Sequence, residues 1–187
     1  MRILIIGAGG TIGKIITPAL SLDHEVITVG RNSGTVVADI SSSLAVENLF
    51  KEVTHVDAVV CVAGDSVTDN LFSMDEDKYG VGIGQKLMAQ INLVLIGSRH
   101  LNDNGSFTLI SGKMGEKPAK GSSGKAVVNG AVNSFALAAA QEMPRGIRLN
   151  VISPSKISSL SSEEVVNAYL KSLETEVNGE IIRIGYN

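Results

Sequence analysis

Seven residues near the start of the chain, Gly7-Ala8-Gly9-Gly10-Thr11-Ile12-Gly13, have the types and spacing of an anion-binding turn. They lie between a strand-like run at 2–6 and a helix-like stretch at 14–20. A turn of this kind bares backbone N–H groups at the positive end of the helix dipole, where a pyrophosphate can sit. Gly7 permits the tight turn, Gly10 lets a ligand approach the main chain, and Gly13 lets the helix pack close to the strand. Thr11 and Ile12 supply the first N–H groups of the helix. The residues are those of a dinucleotide cradle. At the end of the second apolar run an acidic residue would receive the ribose hydroxyls of NAD. This chain has Arg31 there, followed by Asn32, and a guanidinium fork matches a 2′-phosphate. The expected cofactor is therefore NADP, in preference to NAD.

These groups need a frame to hold them. Apolar runs of strand length recur at 2–6, 25–29, 35–37, 58–62, 106–110, 147–152 and 180–184. Segments of helical spacing fall between most of them, at 11–20, 42–52, 75–101, 122–143 and 162–173. Short apolar strands alternating with helices predict an α/β fold, a doubly wound parallel sheet of Rossmann type covered on both faces. At 187 residues the chain is expected to form a single domain over 1–187. In such sheets ligands bind at the carboxyl ends of the strands. That favours Arg31, Asp39, Ala63-Gly64-Asp65, 111–120, 154–159 and Tyr186. His24, His55 and His100 precede strands or end helices at the other edge, so none is expected to act as a base.

Composition narrows the classes further. Hydrophobic residues make up 44% and charged residues 19%, a globular balance. The net charge of −3 and the scattering of Lys and Arg along the chain give no footprint for nucleic acid. No stretch approaches the roughly 20 apolar residues that span a bilayer, so no membrane partner is expected. The first apolar run lacks the basic region and cleavage site of a leader and reads as a strand. Cys61 is the single cysteine, within Val59-Val60-Cys61-Val62, which fits a buried thiol and a reducing cytoplasm. No metal site is expected.

The chain resembles the short-chain dehydrogenase/reductase family over nearly its whole length. Val36-Val37-Ala38-Asp39-Ile40 is similar to the family's strand ending in an Asp and an aliphatic residue, implying adenine contacts at Asp39 and Ile40. Cys61-Val62-Ala63-Gly64 resembles its Asn-Asn-Ala-Gly turn, keeping only Ala63 and Gly64 beside the ribose. Ile91-Asn92-Leu93 resembles the helix that carries the catalytic-network Asn, which would be Asn92. The run 105–111 resembles the strand that delivers the catalytic Ser, which would be Ser111, in a register ambiguous by one because Gly112 follows. The run 146–154 resembles the sixth strand and its turn at the nicotinamide, implying contacts at Pro154 and Ile157. The family's Tyr-x-x-x-Lys reads Gly121-Ser122-Ser123-Gly124-Lys125 here. Lys125 would hold the nicotinamide ribose and join the catalytic set, while the tyrosine is a glycine.

That loss bears on chemistry. A phenol near pKa 10 becomes a usable acid beside an ammonium, and a serine such as Ser122 is a poor substitute. Tyr79 and Tyr186 are the tyrosines placed to reach the site, and Tyr169 reads as packing or surface. Ser155 replaces the glycine after Pro154, and the lid expected between the sixth strand and the last helix is short. The resemblance implies an NADP-dependent oxidoreductase acting on a small carbonyl or alcohol with a depleted site. Its alternatives are a non-catalytic dinucleotide-binding sensor or partner subunit and, ranked last, a nucleotide-sugar or isomerase activity. A tyrosine at 121 would stand one helical turn before Lys125 on the same face. Finally, the helices at 86–101 and 122–143 are apolar on nearly all sides, Val132 and Phe135 included. A homodimer or homotetramer through them is expected.

Overall fold

The computed structural model describes residues 1–186. Its strands are β1 (Arg2–Ile6), β2 (Glu25–Gly30), β3 (Val36–Val37), β4 (Val56–Cys61), β5 (Leu101–Ile110), β6 (Arg148–Pro154) and β7 (Ile181–Ile184). They form one parallel sheet in the order β3-β2-β1-β4-β5-β6-β7. The chain winds one way from β1 to β3 and the other from β4 to β7. The reversal between β1 and β4 opens the crevice at their carboxyl ends.

Side-chain alternation along the strands builds two apolar layers. Leu4, Ile6, Val59 and Leu109 face one side, under α2 (Ser43–Glu52), α4 (Ala89–Gly97) and α5 (Ser123–Ala139). Ile3, Ile5, Ala58 and Val60 face the other, under α1 (Thr11–Leu20) and α6 (Ser162–Glu174). Both faces of β1 and β4 are therefore dry, which is why these strands read as continuous apolar runs. Tyr169 of α6 is fully buried in the second layer.

The structure differs from the sequence reading at the long helix expected over 75–101. The segment begins as α3 (Glu76–Gly82), widens into a π-helical turn over Ile83–Met88, and only then becomes α4, which ends at Gly97. Three glycines, Gly80, Gly82 and Gly84, loosen the helix there, and such wide turns recur at functional sites. β5 begins at Leu101, five residues earlier than expected, across a register shift between Val56 and Ala58. The helix expected over 122–143 is the shorter α5, because the Ser122 hydroxyl closes a turn on Ala119 and the helix starts after it.

Val132 and Phe135 are not an outer face. Val132 is buried within the chain and Phe135 packs against the same layer. The sheet covers one side of α5, and the 112–115 turn together with the π turn covers another. The apolar side chains these helices leave exposed are Met88 on the π turn, Leu95 on α4, and Val127 and Leu137 on α5. No helix among the described residues is long and apolar enough to cross a membrane.

Candidate functional site

A cleft of about 510 Å³ lies over the carboxyl ends of β1, β2 and β4. Gly7, Gly10, Arg31, Asn32, Asp39, Ile40, Ala63 and Gly64 line it together with Ser33, Ser41, Asp65 and Gln85. Eight of the residues singled out from sequence thus share one cavity. Gly7 holds a left-handed φ of +89°, and a side chain there would meet Ala63 at 3.0 Å. At Gly13 a Cβ would fall 2.4 Å from the Gly7 carbonyl oxygen and 2.5 Å from Ala8 Cα, so only glycine lets α1 approach the turn. Gly10 is the N-cap of α1 and no side chain caps the helix. Its first N–H groups, including those of Thr11 and Ile12, are left for a ligand. A narrow turn, an uncapped helix and a recess without side chains fit a dinucleotide pyrophosphate.

The rim carries mixed charge. Arg31 faces Asp65 at 3.6 Å, both well exposed, and an exposed pair of that length holds its arginine loosely. Asp39 accepts from the Ser41 backbone and hydroxyl at 3.0 and 2.8 Å. Those bonds, with Arg31 nearby, keep its carboxyl below the ordinary aspartate range against a slight loss of hydration. Asp39 is an anion held by the loop, and Arg31 is the exposed cation beside it.

The other half of the site collects at the end of β5. Ser111 follows that strand, buried, its N–H bonded to Ile152 and its hydroxyl without a partner among the described residues. Gln90 of α4 binds the Ile110 N–H at 2.8 Å and the Ile110 carbonyl at 3.0 Å. It continues the ladder where the chain after β4 turns away toward Gly64. One turn earlier, Lys86 donates from Nζ to the Ser111 carbonyl at 3.1 Å, only 8% exposed. Its stem lies against Gly64, where a Cβ would meet Lys86 Cγ at 2.7 Å. Burial above all, and then Lys125, brings the Lys86 ammonium down to about 8, against a pull upward from Cys61 and Asp65.

Asn92 does not join this group. The buried face of the π turn and α4 runs through Lys86, Ala89, Gln90, Leu93, Val94 and Gly97, and Asn92 lies half-buried beside it with no side-chain bond among the described residues. The inward polar residues are Lys86 and Gln90, which the sequence reading missed. Their i, i+4 spacing on the stripe shared with Leu93 and Gly97 was the available signal. Asn129 and Asn133 of α5 are a second missed pair, buried with amide atoms unpartnered among the described residues. Asn129 borders Gly112, where a Cβ would fall 3.1 Å from its Nδ2 and 3.7 Å from the Pro154 carbonyl. Lys125 is half-buried on the first turn of α5, and Ile157 is half-buried in a short turn after β6.

The hydroxyls near the tyrosine register are occupied. Gly121 has φ +78° and lies outside α5, so it does not share a helical face with Lys125. Ser122 is closed on Ala119, the Tyr79 hydroxyl donates to Ser123 at 3.1 Å, and that of Tyr186 pairs with Ser153 at 2.6 Å. The histidines lie at the amino edge: His24 against Glu174, His55 ahead of β4, His100 stacked on Phe50. Lysines scattered in sequence gather after β5 and β6. Lys113 and Lys117 flank the Tyr186 ring, and with Lys120 and Lys156 they form no carboxylate pair among the described residues.

Residues 21–181 match the family described as Enoyl-(Acyl carrier protein) reductase. No curated protein matches the sequence. Among solved structures, the protein lin1944 from Listeria innocua is 39% identical with a TM-score of 0.94, covering 98% of this chain and 99% of that one. A small-chain dehydrogenase is 23% identical with a TM-score of 0.87, covering 98% and 96%. A small-chain dehydrogenase in complex with NADPH is 20% identical with a TM-score of 0.88 and the same coverage. The last two likenesses are likenesses of fold.

Proposed function

The chain belongs to the short-chain dehydrogenase/reductase family, and from that premise we propose that it is an NADP-dependent oxidoreductase acting on a small carbonyl or alcohol. The observation that carries the reading is the cleft over β1, β2 and β4 and its contact with the group at the end of β5. Gly7, Gly10, Arg31, Asp39 and Gly64 line it, and Gly64 rests on Lys86, which holds the Ser111 carbonyl. Gly10, Thr11, Ile12 and Gly13 would hold the pyrophosphate, Asp39 and Ile40 the adenine end, and Ala63 and Gly64 the ribose beside them. Lys125, Pro154 and Ile157 would hold the nicotinamide ribose and ring. The cofactor supplies or accepts hydride when bound. This chain's residues orient it and manage the proton, and with glycine at 121 no phenol stands four residues before Lys125.

Arg31 and Asn32 would take the 2′-phosphate, because the exposed Asp65 contact costs little to exchange for a dianion. The parent chain should consume NADPH in the presence of one or more members of a carbonyl panel that includes anionic members, given the unpaired lysines at the mouth. Arg31→Asp should cut NADPH affinity at least about tenfold, roughly 1.4 kcal/mol, with NADH affected less. Equal affinities of the parent for NADPH and NADH, titrated by nucleotide fluorescence, would remove the Arg31 assignment.

We also read the α4 and α5 surfaces that expose Met88, Leu95, Val127 and Leu137 as a self-association surface giving a homodimer or homotetramer. Sedimentation at micromolar concentration should show at least a dimer, and Leu95→Glu should dissociate it without unfolding the chain. A parent that sediments as a monomer refutes this. The single cysteine, Cys61, is buried and free, in keeping with a reducing, cytoplasmic setting.

A further inference from the structure

We propose that the Lys86 ammonium donates the proton that completes carbonyl reduction in this site, an inference that rests on the oxidoreductase reading above. The reduction needs an acid; the Ser111 hydroxyl has no partner among the described residues but is an alkyl alcohol, too weak an acid by itself, and the other hydroxyls nearby are committed. Ser122 is locked to Ala119, Tyr79 to Ser123 and Tyr186 to Ser153, while the histidines lie at the far edge of the sheet. Lys86 is the acid the fold brings to the junction of β4 and β5. The wide π turn sets its stem under Gly64, a residue of the cofactor cleft, and its head against Ser111.

An ammonium carries three N–H bonds, and among the described residues one of them is committed, to the Ser111 carbonyl. The groups facing it are Cys61 at the end of β4, Asp65 beyond that strand and Lys125 of α5. Burial together with the second cation makes Lys86 more acidic than an ordinary lysine, so it is charged at neutral pH yet releases its proton readily.

The step balances as follows. Hydride and its two electrons reach the carbonyl carbon from reduced nicotinamide, and the carbonyl π pair moves to oxygen. That oxygen takes a proton from Lys86 Nζ as the N–H bond breaks, leaving the pair on nitrogen. Water then returns a proton to the amine. A lysine that only completed the β5 ladder would leave the pH profile of the reaction to other groups.

The test compares the parent with Lys86→Arg and Lys86→Met, taking kcat/KM for the carbonyl at saturating NADPH from pH 6 to 10. Ammonium NMR of the ligand-free chain labelled with 15N-lysine is recorded in parallel. The parent rate should fall above pH about 8 with one ionisation, and one lysine signal, absent from both variants, should titrate there. Lys86→Met should lose about 10²–10⁴-fold in kcat, the usual worth of a general acid, while keeping NADPH affinity. Lys86→Arg should move the alkaline fall up by more than about one pH unit, since a guanidinium stays charged. A Lys86→Met chain that keeps both its rate and its alkaline fall overturns the Lys86 role and leaves the oxidoreductase reading standing. A parent that turns over no carbonyl overturns both. Should Lys86→Met fail to fold, the NMR titration decides: no lysine titrating below pH 9 overturns the proposal.

Discussion

Replacing Lys86 by methionine is expected to stabilise the fold at pH 7, by an amount that shrinks as the pH rises. The parent buries an ammonium whose folded pKa, about 8, lies below its ordinary value of 10.5. Below pH 8 the amine is charged in both folded and unfolded chains, and the full cost of burying that charge is present. Between the two values the unfolded chain binds a proton that the folded chain does not, so the parent gains stability as the pH rises through that window. A depression of this size is worth about 3 kcal/mol. Methionine keeps the stem over Gly64 and removes the charge, at the loss of the bond to Ser111, about 1 kcal/mol. Urea midpoints of parent and variant at steps from pH 7 to 10 should converge. A difference that stays flat across the window would mean that Lys86 titrates as an ordinary surface lysine. A destabilising charge kept at a functional site is the usual trade of stability against chemistry.

Gly13→Ala should abolish tight nucleotide binding and weaken the fold. The added Cβ would stand 2.4–2.5 Å from main-chain atoms of Gly7 and Ala8, none of which can swing aside as a side chain could. α1 must move off the turn, at a cost of about 1–3 kcal/mol in stability. The N–H groups that would hold the pyrophosphate move with it, so NADPH affinity should fall by more than about tenfold. Gly9→Ala is the control for stability. Its Cβ would meet nothing nearer than the Ser33 hydroxyl at 3.8 Å, and its unfolding midpoint should match the parent's. Equal nucleotide affinity in Gly13→Ala and the parent would show that the turn is not where the nucleotide binds.

These expectations divide along the line between what sequence shows and what it hides. The glycine turn was legible because backbone sterics act over a few residues, and Gly7, Gly10 and Gly13 each answer a local need. The parallel sheet was legible because strands dry on both faces read as apolar runs. Lys86 was not, since helical spacing over 75–101 suggests one continuous helix in which a lysine reads as solvated. Its spacing with Gln90, Leu93 and Gly97 hinted at the inner face, and the contact with Ser111 places it there. Asn92 lies half-buried beside that stripe. Val132 looked like an interface residue because α5 reads as apolar on nearly all sides, and only the fold shows that Val132 is on the side turned to the sheet layer.

NADPH consumption by the parent chain across a panel of small neutral and anionic carbonyls tests the central claim most directly. Saturable oxidation of NADPH that depends on the carbonyl, with NADH the poorer reductant, is the predicted result. Saturable NADPH binding with no consumption against any member would contradict it and assign the chain to dinucleotide-binding proteins without turnover.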